Sequence, residues 1–131
     1  MKIRKSKIND IEQIVNLWKE TGLYFEPFDK KERLTEKIKN EPELLLVAED
    51  KEKIIGAVIG NYGWRVSIDH IAVDKEYRKH GIGKILLGEI KRNLKAKGAT
   101  IALIDSNLPK KFWDKLGCNY RGKYYNYTIK L

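Results

Sequence analysis

The sequence predicts an α/β fold with a mixed central β-sheet of about 6–7 strands flanked by about four helices. Short apolar runs typical of strands alternate along the chain with segments whose apolar residues recur at the period of a helix. The predicted order is β, α, α, β, β, β, α, β, α, β, with one or two strands closing the chain. A length of 131 residues and a hydrophobic content of 42% fit one domain, 1–131, built around one core.

The first segments predict a strand and a helix. Ile3 begins an alternating stretch that is typical of an edge strand. Asn9 or Asp10 can cap the helix that follows, and Gly22 ends it. The apolar face of this helix is predicted to carry Ile11, Ile14, Val15 and Trp18.

An unusually aromatic loop, residues 23–28, leads into the second helix. Asp29 can cap this helix, and Asn40 and Pro42 close it because the residue before a proline disfavours helical geometry.

Three strands are predicted next. Residues 44–48 and 53–62 form two of them, joined by the polar turn 49–52, and residues 65–73 form the third. Alternation along the third strand assigns its side chains to two faces. One face is predicted to carry Val66, Ile68, His70 and Ala72, and the other Ser67, Asp69, Ile71 and Val73.

The second half of the chain begins with a long amphipathic helix over residues 82–97. Residues 100–105 read as a short strand buried on both faces. Asn107 can cap a last helix that ends near Leu116. The tail, residues 119–131, is rich in tyrosine and is predicted to form one or two closing strands.

The charge of the chain limits its partners. Lys and Arg number 27 against 18 Asp and Glu, for a formal net charge of +9. This excess attracts polyanions, namely nucleic acid, an anionic membrane face or a phosphate-bearing cofactor. The basic residues are scattered and match no nucleic-acid-binding motif, which argues against nucleic acid.

Targeting signals and metal-binding patterns are missing from the sequence. The first ten residues, MKIRKSKIND, lack the apolar segment of a signal peptide. The longest apolar runs, 44–48 and 54–60, are far shorter than the roughly 20 residues that span a bilayer. Cys118 is the only cysteine, so neither an intrachain disulfide nor a cysteine-based zinc site is expected. We therefore expect a cytoplasmic protein without a metal.

The turn between the third of these strands and the long helix carries the clearest chemical signal. Gly81 and Gly83 remove the Cβ atoms that would keep a ligand from the backbone. The N–H groups of such a turn and the helix dipole attract an anion. Four basic or potentially basic side chains crowd the helix start, where no acidic cap offsets them: Arg78, Lys79, His80 and Lys84. The alternative is a surface turn in a chain already rich in Lys and Arg.

This stretch resembles the signature motif of the GNAT acetyltransferases, whose Arg-x-x-Gly-x-Gly form is matched by Arg78, Gly81 and Gly83. Residues 107–118, NLPKKFWDKLGC, resemble the second block of that family. The resemblance implies a GNAT fold and an N-acetyltransferase. Its donor would be acetyl-CoA, and its acceptor a primary amine on a protein N-terminus, a lysine or a small molecule.

The resemblance also implies a division of labour within the site. The backbone of Ile71 and Val73 would pair with the pantetheine amides as an added strand does. The N–H groups of residues 78–84 would hold the pyrophosphate, and Asn107 would lie near the thioester. The cofactor-binding residues implied are Ile71, Ala72, Val73, Arg78, Lys79, His80, Gly81, Ile82, Gly83, Lys84, Asn107 and Trp113.

Trp113 occupies the position at which many members of the family carry a tyrosine that protonates the leaving thiolate. An indole N–H is not a useful acid, so that role is vacant or has moved to one of the tail tyrosines: Tyr120, Tyr124, Tyr125 or Tyr127. Asp69 is a candidate base, because alternation places it on the face of Ile71 and Val73. Glu26, in the aromatic loop, is the other candidate base. His70, on the opposite face from Asp69, is expected to be packed or exposed.

Two other functions stay open on the sequence. A GNAT fold that binds CoA or a protein partner without turnover would fit Trp113, and a nucleic-acid-binding protein would fit the net charge. Monomer and homodimer are both compatible with the sequence, and the acceptor amine is not identified by it.

Overall fold

The computed structural model of the chain describes residues 1–123 and 125–131. Its centre is a five-stranded sheet whose spatial order follows the chain. The strands are β1 (Lys2–Lys5), β2 (Leu45–Asp50), β3 (Lys53–Asn61), β4 (Ser67–Val73) and β5 (Leu103–Ile104). Neighbours from β1 to β4 pair antiparallel, whereas β5 runs parallel to β4, so the sheet is mixed.

Helices cover both faces of this sheet. They are α1 (Ile11–Glu20), α2 (Glu26–Asp29), α3 (Lys31–Asn40), α4 (Ile82–Ala96) and α5 (Lys110–Lys115). Short 3₁₀ turns precede α1, β2 and the turn into α4. Within the described residues, no helix combines the length and apolar character that crossing a membrane requires.

The core has two layers, one on each side of the sheet. On one side α4 packs its buried leucines and isoleucines, including Leu86 and Ile90, against β2, β3 and β4. On the other side α1 and α3 contribute Ile14, Trp18 and Leu34. Each fully buried side chain of this kind stabilises the fold by roughly 1.5–3 kcal/mol. These layers hold β4 rigidly between two sets of helices.

A β-bulge in β4 changes which residues share a face. Ala57 pairs with Ala72 and Ile59 with Asp69, so β4 has one more residue than β3 in this interval. His70 takes up the extra length in a left-handed conformation, with φ of +46°. Ile71 therefore packs in the α4 layer together with Ile68. The prediction that Ile71 shares a face with Asp69 was wrong, because a bulge reverses the alternation beyond it.

The predicted α/β class is confirmed, but the described residues form a sheet of five strands instead of about 6–7. The predicted strand over 100–105 shortens to β5, whose two residues are half-buried. None of the described residues of the tail, 119–123 and 125–131, forms a strand, and all of them are exposed. Tyrosine content alone does not make a strand. The edge offered by β5 is two residues long, too short to pair with one.

Candidate functional site

Pairing between β4 and β5 stops after two residues, because β5 ends at Ile104. They pair only at Ser67 with Leu103 and at Ile68 with Ile104, although β4 continues to Val73. Residues 69–73 thus have no strand partner on that side within the described chain. Unpaired backbone N–H and C=O groups at an inner edge are available to an extended ligand.

The turn at the start of α4 lies at the far end of this free edge. Lys79 and Gly81 both have left-handed backbones, with φ of +68° and +78°. Gly81 is the N-cap of α4 and no side chain hydrogen-bonds to the helix start; no acidic residue stands in the first turn. The basic residues of the turn, Arg78, Lys79, His80 and Lys84, are all exposed. The unpaired N–H groups and the helix dipole suit an anion such as a phosphate.

Arg78 connects the turn to the free edge of β4. Its Nε donates to the carbonyl oxygen of Val73 at 3.1 Å. Asp74 steadies the same segment, because its Oδ1 accepts the Glu76 N–H at 2.9 Å. This backbone hydrogen bond, together with one from Lys53, holds the pKa of Asp74 below its ordinary value despite partial burial. The carboxylate therefore remains charged and keeps the turn in place at neutral pH.

Gly83 lies where α4, α5 and the end of β4 converge. A Cβ added to it would lie 3.7 Å from Cζ of Phe112 and 3.8 Å from Cγ2 of Val73. Both are ordinary van der Waals distances, so a small side chain would fit but would fill the gap between the two elements. The absence of a side chain leaves that gap open beside the helix N-terminus.

Trp113 is partly buried and packs against the core layer under α4. Its indole packs against the α4 layer and meets the Phe112 ring edge-on, with centroids 4.9 Å apart. Its Nε1 is buried and has no hydrogen-bond partner in the part of the chain described. The described tail tyrosines Tyr120, Tyr125 and Tyr127 are 55%, 87% and 88% exposed. Tyr124 lies outside the described residues.

The bulge in β4 brings His70 to Asp29. His70 Nε2 and Asp29 Oδ2 are 2.7 Å apart, and Asp29 is 4% exposed. Asp29 does not cap α3 as predicted: α3 has Lys30 at its N-cap and no side-chain cap. Its Oδ2 accepts the Phe25 N–H at 2.9 Å instead, at the start of α2. The Trp18 indole N–H donates to the His70 carbonyl at 2.9 Å, which fixes the bulge against α1.

The two predicted carboxylate bases lie in different surroundings. Asp69 Oδ2 accepts hydrogen bonds from Asn61 Nδ2 and Ser67 Oγ, each at 2.8 Å. Glu26 is exposed at the first position of α2. Desolvation, and after it the charges of Glu26, Asp29 and Glu32, raise the pKa of Tyr24. Three carboxylates therefore lie near Tyr24, and Lys19 Nζ lies 4.9 Å from the centroid of its ring.

Asn107 does not cap the last helix. The helix α5 begins at Lys110 with Pro109 at its N-cap, two residues later than the predicted cap requires. Asn107 Nδ2 donates instead to the carbonyl oxygen of Thr21 at 3.2 Å and so ties the loop after β5 to the end of α1. The proline sets the helix start, because its fixed φ suits that position.

The turn 78–84 and the unpaired part of β4 adjoin each other as predicted, and their role in binding a cofactor stays a prediction. The His70–Asp29 pair was not predicted. The two residues are 41 positions apart, and neither belongs to a recognisable motif. The only local hint is that histidine, with asparagine and aspartate, is enriched among non-glycine residues of positive φ.

Comparisons with known proteins identify the family. A model of the acetyltransferase (GNAT) family matches residues 11–117. An acetyltransferase of Photorhabdus laumondii is 31% identical over 99 residues, which are 75% of this chain and 69% of that protein.

Solved structures show the same fold. The PaiA N-acetyltransferase of Thermoplasma acidophilum, solved in complex with coenzyme A, has a TM-score of 0.62 at 25% identity over 74% of this chain and 73% of its own. The glucosamine-6-phosphate N-acetyltransferase of Arabidopsis thaliana has a TM-score of 0.75 at 20% identity over 98% of each chain. This chain belongs to the GNAT acetyltransferase family and is an N-acetyltransferase.

Proposed function

We propose that the chain transfers an acetyl group from acetyl-CoA directly to a primary amine of a protein N-terminus, a lysine or a small molecule. The observation that carries this proposal is the free edge of β4 next to the uncapped, basic start of α4. The related Thermoplasma enzyme was solved with coenzyme A, which supports the same donor here.

The residues at this edge fit the two ends of such a donor. The backbone of residues 71–73 offers hydrogen bonds to the amides of a pantetheine arm, and the turn 78–84 offers N–H groups to a pyrophosphate. Arg78 Nε donates to the Val73 carbonyl oxygen. When a pantetheine arm binds, that oxygen would accept from both Arg78 and the arm, or the arm would replace Arg78. The donor supplies a thioester, and the chain supplies its orientation toward the amine.

A cationic acceptor fits the other side of β4. Glu26, Asp29 and Glu32 act together on Tyr24, and Asp69 lies on the neighbouring stretch of the strand. An acceptor ammonium can pair with the exposed carboxylates of this group, Glu26 and Glu32, although Lys30, Lys31 and Arg33 are their neighbours in the chain. Asp69 and Glu26 as bases stay predictions; the hydrogen bonds of Asp69 give it a role in holding β3 to β4 as well.

The test is thiol release from acetyl-CoA in the presence of four defined acceptors. These are a peptide with only its N-terminal amine free, one with only a lysine free, spermidine and an aminoglycoside. Release that depends on one of these amines supports the transferase. Thermal stabilisation by CoA without any release would instead support a binding module, and stabilisation by RNA or DNA alone would support the nucleic-acid alternative.

A further inference from the structure

The His70–Asp29 pair lies in the strand that carries the proposed cofactor edge. His70 is the residue of the bulge itself, two positions beyond the last β4–β5 pair at Ile68. His70 therefore lies just beyond the point where the pairing between β4 and β5 ends. Its side chain is 23% exposed, whereas the Asp29 side chain is 6% exposed. The His70 ring is therefore partly accessible to a ligand, whereas the Asp29 carboxylate is buried.

The hydrogen bond decides which ring nitrogen can accept a proton. Asp29 Oδ2 accepts from His70 Nε2, so in the neutral ring the hydrogen lies on Nε2 and the lone pair on Nδ1. Nδ1 has no hydrogen-bond partner in the described part of the chain. Asp29 Oδ2 also accepts the Phe25 N–H at 2.9 Å, so the carboxylate loses this second hydrogen bond if it turns away from the ring.

We propose that His70 is the catalytic base of the transfer and that Asp29 positions its ring, an inference that rests on the proposed function. The acceptor ammonium gives one proton to Nδ1 of His70. The lone pair freed on nitrogen forms the N–C bond to the acetyl carbon, and the C–S bond breaks with its electron pair on sulfur. The second proton that nitrogen loses as the amide forms passes to the thiolate or to water, and His70 returns its proton to solvent.

Asp29 has two tasks in this scheme. It keeps the ring in the tautomer with a free Nδ1, and its negative charge stabilises the imidazolium that forms when the proton arrives. The other charged groups near the bulge are Glu26 on α2, Asp69 on β4 and Lys37 on α3, which reaches Asn61. Of these, Asp69 is engaged by Asn61 and Ser67, and Glu26 is exposed at the start of its helix.

A purely structural role is the rival explanation, in which the pair only fastens α2 to the sheet. The backbone of His70 provides a way to separate the two. Because its φ is +46°, glycine is accommodated at this position more easily than any other residue. His70→Gly therefore removes the ring without adding backbone strain, and it leaves a space in which free imidazole can take its place.

The experiment measures thiol release from acetyl-CoA with n-butylamine and with a peptide amide that has a free N-terminus and one lysine. We expect His70→Gly and His70→Gln to lower kcat by about 10²–10⁴-fold with unchanged Kd for CoA. Imidazole in the buffer should restore a large part of the activity of His70→Gly and none of that of His70→Gln, whose side chain fills the space. Asp29→Asn should lower kcat by about tenfold or more, because it keeps an acceptor oxygen but loses the charge.

Asp10→Asn is the matched control. Asp10 is also buried, at 5% exposure, but its hydrogen bonds go to Arg4 and the Lys7 N–H, so its replacement should leave kcat unchanged. A second readout needs no acceptor: ¹⁵N spectra of the two histidine rings should show His70 as the Nε2–H tautomer, and Asp29→Ala should mix its tautomers.

The outcomes separate the two claims. If the wild-type chain releases no thiol with either amine, the proposed function fails and the base assignment fails with it. If the wild type is active and the kcat of His70→Gly stays within threefold of it, only the base assignment fails. The base assignment also fails alone if His70→Gly is folded and inactive and imidazole does not restore its activity. An Nδ1–H tautomer in the wild-type protein would also overturn it.

Discussion

Trp113 shows how a position in a motif and a role in a structure can differ. Its indole packs on the α4 layer, and its buried Nε1 has no partner among the described residues. A buried donor without a partner usually costs stability. The favourable contacts of this side chain are therefore its packing contacts with the α4 layer and Phe112. A leaving thiolate needs no dedicated acid, since the pKa of a free thiol is about 8.5. The indole therefore contributes packing.

Trp113→Phe tests this reading. We expect thiol release within about tenfold of wild type, because no proton is drawn from the indole and the aromatic contact with Phe112 is kept. Steady-state kinetics with a fixed amine give the comparison, and calorimetry checks that Kd for CoA is unchanged. A loss of more than a hundredfold at unchanged CoA affinity would place the indole in the chemistry.

Asp10 illustrates a charge that stabilises the fold instead of the site. Burial alone would raise its pKa, but the hydrogen bonds from Arg4 and the Lys7 N–H reverse this and bring the pKa below the ordinary value of 3.8. A carboxyl whose pKa is lower in the folded state stabilises the fold above its unfolded pKa. That stability is lost as the pH falls through the folded value.

Asp10→Asn should therefore lower the free energy of unfolding by about 1–3 kcal/mol at pH 7. The difference from wild type should shrink as the pH falls below the ordinary range of an aspartate, because both chains are then neutral at this position. Urea denaturation at several pH values measures it, with Glu36→Gln on the exposed face of α3 as a control. A difference that is constant down to acidic pH would contradict the assigned ion pair.

At the scale of elements, the start of α4 combines a left-handed glycine, unpaired N–H groups and a gap beside α5. Gly81 requires its positive φ, so replacing it disturbs the backbone as well as the ligand. Gly83 has no positive φ, and a Cβ added to it would make only ordinary van der Waals contacts with Val73 and Phe112. It is therefore the cleaner position for a test.

Gly83→Glu should abolish CoA binding and leave the fold intact, because a side chain and a negative charge both enter the turn. Gly88→Glu is the matched control: Gly88 lies in the same helix, is exposed, and an added Cβ would meet nothing within 4 Å. Calorimetry with CoA should show wild-type affinity for Gly88→Glu alone. Unchanged affinity in Gly83→Glu would show that CoA binds elsewhere.

The order of most helices and strands follows from hydrophobic period, turn residues and the glycines of one motif, and so does the position of the turn before α4. The bulge in β4 was not predicted from strict alternation. Its trace is visible in the spacing of the apolar residues on the α4 face, Val66, Ile68, Ile71 and Val73, where the interval of three between Ile68 and Ile71 marks the extra residue. Asp29 and Asn107 were misread for a related reason. Both were assigned as helix caps from local propensity, whereas in the structure they hydrogen-bond to His70 and Thr21, which are 41 and 86 positions away.

At the scale of the whole molecule, charge is distributed to suit two different ligands. The chain is basic overall, with an exposed group of Arg and Lys at the α4 start, which favours a phosphate-bearing donor. The loop before α3 brings carboxylates near Tyr24, of which Glu26 and Glu32 are exposed and can pair with an ammonium acceptor. The two regions lie on opposite faces of β4, and the bulge with His70 lies between them.

The central claim is that acetyl-CoA binds along the free edge of β4 and against the start of α4. Amide hydrogen exchange of the full chain with and without CoA tests it most directly. We expect CoA to slow exchange in residues 71–73 and 78–84, and to leave β1 and the described tail residues unchanged. Tight CoA binding with protection elsewhere, or with none in these two segments, would contradict the account.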